Sequence, residues 1–124
     1  MSKKAILIIE DDNAVAEMIG EFLLQNDFQV TRASDGLEGV EKAAAMPDLI
    51  LLDLGLPKLS GLGVLKKLKS DNNLSAIPII VLTGQGDSKT IFEAMDLGSY
   101  DFMIKPVKLQ EMLDVIMKAV HLEK

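Results

Sequence analysis

Short apolar runs alternate with amphipathic stretches along the chain, and these two patterns set the predicted elements. Ala5 to Ile9, Leu49 to Asp53 and Ile77 to Leu82 are nearly all apolar, as strands are when helices cover both faces of a parallel sheet. Gln29-Val30-Thr31-Arg32 alternates instead, which suits an edge strand, and Tyr100 to Ile104 predicts a fifth strand. Between the strands, Val15, Met18, Ile19, Phe22 and Leu23 recur at helical spacing, as do Leu109, Met112, Leu113, Ile116 and Val120. Gly98 predicts a left-handed end to a fourth helix over residues 89–97. A strand-helix unit repeated five times predicts an α/β sandwich with a doubly wound parallel sheet. No internal repeat or break in composition marks a second domain, so residues 1–124 are expected to form one.

In such sheets the functional crevice lies outside the carboxyl ends of the strands, where the strand order reverses. For the flavodoxin-like order 2-1-3-4-5, the reversal falls between strands 1 and 3. The positions to inspect are then fixed: Glu10-Asp11-Asp12 after strand 1, Asp53 ending strand 3, Thr83-Gly84 after strand 4, and Lys105-Pro106 after strand 5.

Composition narrows the chemistry. The chain has no cysteine, which excludes disulfides, thiolate metal sites and thiol catalysis. Its net charge is −6 and its lysines are scattered or in short stretches, which argues against direct nucleic-acid binding. No apolar run is long enough to insert in a membrane and the start does not resemble a signal peptide, so a cytoplasmic location is expected.

Glu10, Asp11 and Asp53 would lie close together in this fold, and their repulsion needs protonation or a cation to relieve it. A hard divalent ion is the simpler remedy: magnesium takes oxygen ligands and is commonly held by one or two carboxylates plus a phosphate, with manganese as the alternative. An oxygen of Asp53 could then attack phosphorus in line. Lys105 would pair with Asp53 at rest and with a phosphoryl oxygen afterwards, and the Thr83 hydroxyl would donate to another. A cis Lys105–Pro106 bond would fit that inward lysine.

These residues also carry a family resemblance. Ile8-Ile9-Glu10-Asp11-Asp12, the run Asp48 to Asp53 followed by Pro57 and Gly61, Leu82-Thr83-Gly84, and Tyr100 to Pro106 resemble, in order and over essentially the whole chain, the response-regulator receiver domains of two-component signalling. The resemblance implies that Asp53 is the phosphoacceptor, Asp11 a direct magnesium ligand, Glu10 a ligand through water, and the Gly55 carbonyl a further ligand. It implies a histidine kinase or histidine phosphotransfer protein as phosphodonor and a downstream effector protein not named by the sequence. The domain would catalyse its own phosphorylation and dephosphorylation without being a turnover enzyme. Phosphorylation would shift Thr83 and an inward-turning aromatic, Phe102, and signal through helix 4, strand 5 and helix 5; phosphorylation-dependent dimerisation is left open. With no output domain after helix 5, the chain would act by changing partners or relaying phosphate, unless it is a fragment of a longer regulator.

Some residues depart from the commoner pattern. Gly55 has no side chain to shield or orient water, Gln85 is a neutral amide two residues after Thr83, Phe102 lacks the Tyr hydroxyl, and Val107 replaces the aromatic often found after Lys-Pro. Plainer roles suit other positions: Asp12 as a helix cap, Phe102 as either a static core ring or a switch, the methionines as packing, His121 as a solvated side chain, and Lys66, Lys67 and Lys69 as the solvent face of helix 3. Other function classes fit less well. A flavodoxin-like nucleotide binder needs a Ser/Thr/Gly-rich loop where Glu10-Asp11-Asp12 stands. A haloacid-dehalogenase-type phosphatase needs an acid where Gly55 stands. A phosphorylation-independent interaction module usually lacks the acceptor, the metal acids or the lysine, and all are present.

Overall fold

Five parallel strands, in the order β2-β1-β3-β4-β5, form one sheet with helices on both faces. The structure, a computed structural model, describes residues 3–84 and 88–121. The strands are β1 (Ala5–Ile9), β2 (Gln29–Ala33), β3 (Leu49–Asp53), β4 (Ile79–Thr83) and β5 (Asp101–Ile104). The helices are α1 (Asn13–Gln25), α2 (Gly36–Ala43), α3 (Gly61–Ser70), α4 (Ser88–Asp96) and α5 (Leu109–His121). Both the expected order and the edge position of β2 are observed. Strand β4 begins two residues later than the apolar run, after Pro78, whose nitrogen has no hydrogen to give to a ladder.

Side chains alternate across the sheet with the two-residue period of extended chain. Leu7, Ile9, Ile50, Leu52, Ile79 and Val81 join one apolar core with Val64, Leu65 and Leu68 of α3. Ile6, Ile8, Leu49, Leu51, Ile80 and Leu82 join the other, with Ile19 and Leu23 of α1 and Met112 and Ile116 of α5. Each wholly buried leucine or isoleucine contributes about 2 kcal/mol relative to exposure. The cores hold the sheet in a register that pairs Ile9 with Leu52, Asp53 with Leu82 and Thr83 with Ile104, so the carboxyl ends of β1, β3, β4 and β5 finish nearly level.

Local chemistry sets the helix ends. Asp12 caps α1 by accepting the Val15 N–H, as expected, while Asp35 caps α2 and Ser60 caps α3. Helix α4 ends at Gly98 with φ +106°, where Gly98 N–H donates to Met95 and Ser99 N–H to Ala94, the paired bonds of a left-handed terminus.

Three expectations are corrected. The buried seam of α1 is Ala16, Ile19, Gly20 and Leu23, and Met18 is exposed; Gly20 sits where an added Cβ would touch Val30, so small residues let α1 approach the sheet. Among the described residues, Met18, Met46, Met95 and Met117 are exposed, while Met112 is buried and Met103 packs against a core as expected. Lys69 is not on a solvent face. Its ammonium donates to the carbonyls of Ser75 at 2.9 Å and Ile77 at 3.1 Å, tying α3 to the start of β4. Among the described residues, no helix is long and apolar enough to cross a membrane.

Candidate functional site

At the level carboxyl ends of the strands, apolar residues give way to acids without any loss of burial. Asp53, the last residue of β3, is 5% exposed, and Glu10, directly after β1, is 0% exposed. Asp11 is exposed at the rim. Carboxylate oxygens of these three residues lie within 4.8 Å of one another, so the expected acidic group forms. Lys105, following β5, reaches into it: its ammonium stands 2.9 Å from Glu10 Oε1 and 3.2 Å from Asp53 Oδ1. The Lys105–Pro106 bond is cis, as expected.

Each carboxylate is differently held. Asp53 Oδ1 also accepts the Gly55 N–H at 3.2 Å. Glu10 Oε2 accepts the Asp12 N–H at 3.1 Å. Glu10 Oε1 is fully buried and meets Lys105 as an ion pair, without the geometry of a hydrogen bond. Burial raises the Glu10 carboxyl above its ordinary value, and the Asp53 charge adds to this; Lys105 and the Asp12 N–H work in the other direction and are outweighed. For Lys105, burial acts to lower the ammonium, but the contact to Glu10 and the charges of Asp53 and Glu10 prevail, and it is raised. One ammonium therefore stands among three carboxylates, with a buried oxygen that a cation would satisfy. An all-oxygen donor set of this kind suits magnesium or manganese rather than a softer metal.

Thr83 ends β4 and is buried, and its carbonyl accepts the Lys105 N–H at 2.7 Å, which joins the last two strand ends of the site. Gly55 and Gly84 leave the approach open. An added Cβ at Gly55 would have only Asp53 Oδ1 nearby, at 3.9 Å, and one at Gly84 would meet nothing within 4 Å. Phe102 belongs to neither apolar core; it is 36% exposed on the edge strand β5, so it is not a static core ring. Val107 packs against the α1/α5 core ahead of α5. Gln85 lies outside the described residues.

Sequence reasoning did not mark the segment after Asp53 as anchored, yet it is. An added Cβ at Gly61 would stand 2.6 Å from the Asp53 carbonyl oxygen and 2.4 Å from Leu54 Cα, and one at Gly36 would stand 2.1 Å from the Leu59 carbonyl oxygen. Only glycine allows either approach. Lys58, in the left-handed region at φ +68°, pairs with the α2 cap Asp35 at 3.4 Å. The alternating pattern marks Arg32 only as an edge-strand residue, yet its guanidinium bonds the Glu10 carbonyl and the Asn13 side chain. It is the only arginine of the sequence, the one signal that could have singled it out.

Known proteins resemble this chain in sequence and in fold. The family model described as response regulator receiver domain matches residues 6–117. The DNA-binding dual master transcriptional regulator RpaA of Synechocystis is 38% identical over 109 residues, which cover 87% of this chain and 45% of that protein. The hybrid signal transduction histidine kinase D of Dictyostelium discoideum is 33% identical over 99% of this chain, a span that is 8% of the kinase. The chain spans about half the length, or less, of the curated relatives it matches. Among solved structures, a CheY-like response regulator receiver domain protein from Methanospirillum hungatei superposes with a TM-score of 0.92 at 25% identity, covering 98% of this chain and 97% of that one. A receiver domain protein from Clostridium thermocellum gives 0.90 at 28% identity, covering 97% and 96%.

Proposed function

Because this chain belongs to the response regulator receiver domain family, whose standard function is a phosphorylation switch, we propose that Asp53 is its phosphoryl acceptor. One observation carries the assignment: a buried strand-end carboxylate with two further acids within 4.8 Å and an ammonium at 3.2 Å. An Asp53 oxygen attacks the phosphorus of the donor, the bond from phosphorus to the donor's imidazole nitrogen breaks, and that nitrogen keeps the electron pair. Lys105, paired with Asp53 at rest, follows the charge onto a phosphoryl oxygen, and the Thr83 hydroxyl donates to a second. Attack by water on the phosphoryl-aspartate later restores the carboxylate and releases phosphate.

Receiver domains generally bind magnesium at an acidic pocket, and the residues here fit that ion: hard oxygen donors, with a buried Glu10 oxygen that lacks a hydrogen bond. Asp11, Asp53 and the Gly55 carbonyl would hold it directly and Glu10 through water; when bound it offsets the carboxylate charge and binds phosphoryl oxygen.

Receiver domains accept phosphoryl groups from histidine kinases, and the donor here is a histidine kinase or a histidine phosphotransfer protein. The output face is α4, β5 and α5, in support of which Phe92 and Met95 of α4 and Phe102 and Ile104 of β5 are exposed apolar residues. Phe102 starts outward and turns in as Thr83 moves toward the phosphoryl group.

Incubation with acetyl phosphate, read by intact mass, tests the assignment. The wild type should gain one phosphoryl adduct that depends on magnesium, and Asp53→Asn should gain none. An equal adduct on the variant would remove Asp53 from this role.

A further inference from the structure

We propose that Arg32 is a positioning residue for the magnesium site, acting as a staple across the loop that presents Asp11. The inference rests on the reading of Glu10, Asp11 and Asp53 as the magnesium carboxylates. Arg32 lies on the edge strand β2, and its guanidinium makes three bonds to one short loop. Nε and Nη2 donate to the Glu10 carbonyl at 3.1 and 2.8 Å, and Nη1 donates to Asn13 Oδ1 at 2.7 Å. Asp11 and Asp12 lie between those two anchor points. The neighbouring Ala33 adds a fourth bond, its carbonyl accepting the Glu10 N–H at 3.0 Å.

The rest of the loop is fixed around Asp11. Glu10 bonds the Asp12 N–H, and Asp12 caps the helix through the Val15 N–H. Among the described residues, the Asp11 carboxylate takes no hydrogen bond, and it points to the same space as Glu10 and Asp53. Everything that holds this ligand in place is therefore applied to its chain neighbours, and Arg32 holds both sides. A lysine could not substitute, since a single ammonium has no planar fork to span a carbonyl and a side-chain amide at once. The only arginine in the sequence occupies the position where that fork is used.

A guanidinium beside a cluster of acids repels a divalent cation, so on charge alone its removal should tighten magnesium binding. As a staple, its removal should loosen the loop and weaken binding. Groups that orient metal ligands typically cost 10–100-fold in affinity when lost, and with the ligand itself untouched, about tenfold is expected here.

Calorimetric titration of the metal-free protein with magnesium chloride decides it, with melting in chelator to establish that each variant is folded. Arg32→Ala should bind magnesium about tenfold more weakly. Arg32→Lys, which keeps the charge, should also weaken, and Asn13→Ala, which frees one anchor, should weaken less. In amide NMR spectra recorded without metal, Asp11 and Asp12 should broaden in Arg32→Lys while core amides stay sharp. Equal or tighter binding by folded Arg32→Ala and Arg32→Lys overturns the staple while leaving the magnesium site intact. If the wild type itself binds no magnesium, the reading of the carboxylates fails and the staple fails with it.

Discussion

Leu52 and Asp53 are neighbours in β3, almost equally buried, and burial works oppositely on them. Leu52 lies level with Ile9 and Val81 in the sheet interior, where removal from water stabilises the fold. One residue on, the same enclosure surrounds a carboxylate. Ile9 and Glu10 repeat the contrast in β1, and for Glu10 burial is the main cause that raises its carboxyl. The interior of the sheet thus supplies stability, and its carboxyl end uses that rigidity to hold three acids closer together than they would stay in water. Such crowding favours a divalent cation, the proposed magnesium, whose charge would offset that of the acids.

That contrast can be broken at either end. The largest effect on stability belongs to the interior: Leu52→Ala should lose about 3 kcal/mol by urea denaturation, with magnesium affinity of the folded fraction little changed. Next comes Lys105→Met, which leaves Glu10 Oε1 facing no cation. Breaking a fully buried pair costs about 3–5 kcal/mol. Because the Lys105 side chain is 23% exposed, about 1–2 kcal/mol is expected after screening. Thermal melts should show added magnesium restoring more stability to this variant than it adds to the wild type.

Two glutamates sharpen the comparison through pH. Glu38 is half-buried, and the Ser34 N–H, with help from Lys42, lowers its carboxyl from 4.5 to about 2. The folded state therefore favours the ionised form, and Glu38's contribution is complete above pH 4.5 and lost as pH falls toward 2. Glu10 is raised from 4.5, so its sign is reversed: the folded state favours the proton, and the contribution grows on acidification toward pH 4.5 and is lost as pH rises through the raised value. In metal-free urea titrations across this range, Glu38→Gln should flatten the loss at low pH, and Glu10→Gln the gain above it. The smallest stability effect is expected at Gly55. An added methyl meets only Asp53 Oδ1 at 3.9 Å, so Gly55→Ala should change stability by no more than about 0.5 kcal/mol. Its consequence should be read instead in the decay of the phosphoryl adduct, which is expected to slow as the approach of water narrows.

The strands were legible because burial on both faces leaves a continuous apolar signature, and the site because four chemical groups fall at strand ends that the topology brings level. Asp12, Gly98 and the edge position of β2 were readable for the same local reasons. Arg32 and Lys69 were not, since each bonds backbone carbonyls, and every residue of a sequence offers one. Met18 was misplaced because a helical stripe gives the direction of a buried face without giving its centre; Ala16 and Gly20, which let the helix come close, look unremarkable in a hydrophobic pattern. Phe102 was ambiguous because an edge strand exposes one side of residues whose type suits either environment.

The seat at Gly36 has a mechanical consequence. There the first residue of α2 meets the Leu59 carbonyl backbone against backbone, with no side chain between them to bend and absorb a displacement. Leu59 follows Asp53 by six positions on an anchored segment, so a shift of that segment when Asp53, the proposed acceptor, changes charge must move the start of α2 or open a gap beneath it. The first turn of α2 is in this respect geared to the segment that follows Asp53, on the side of the molecule away from β5.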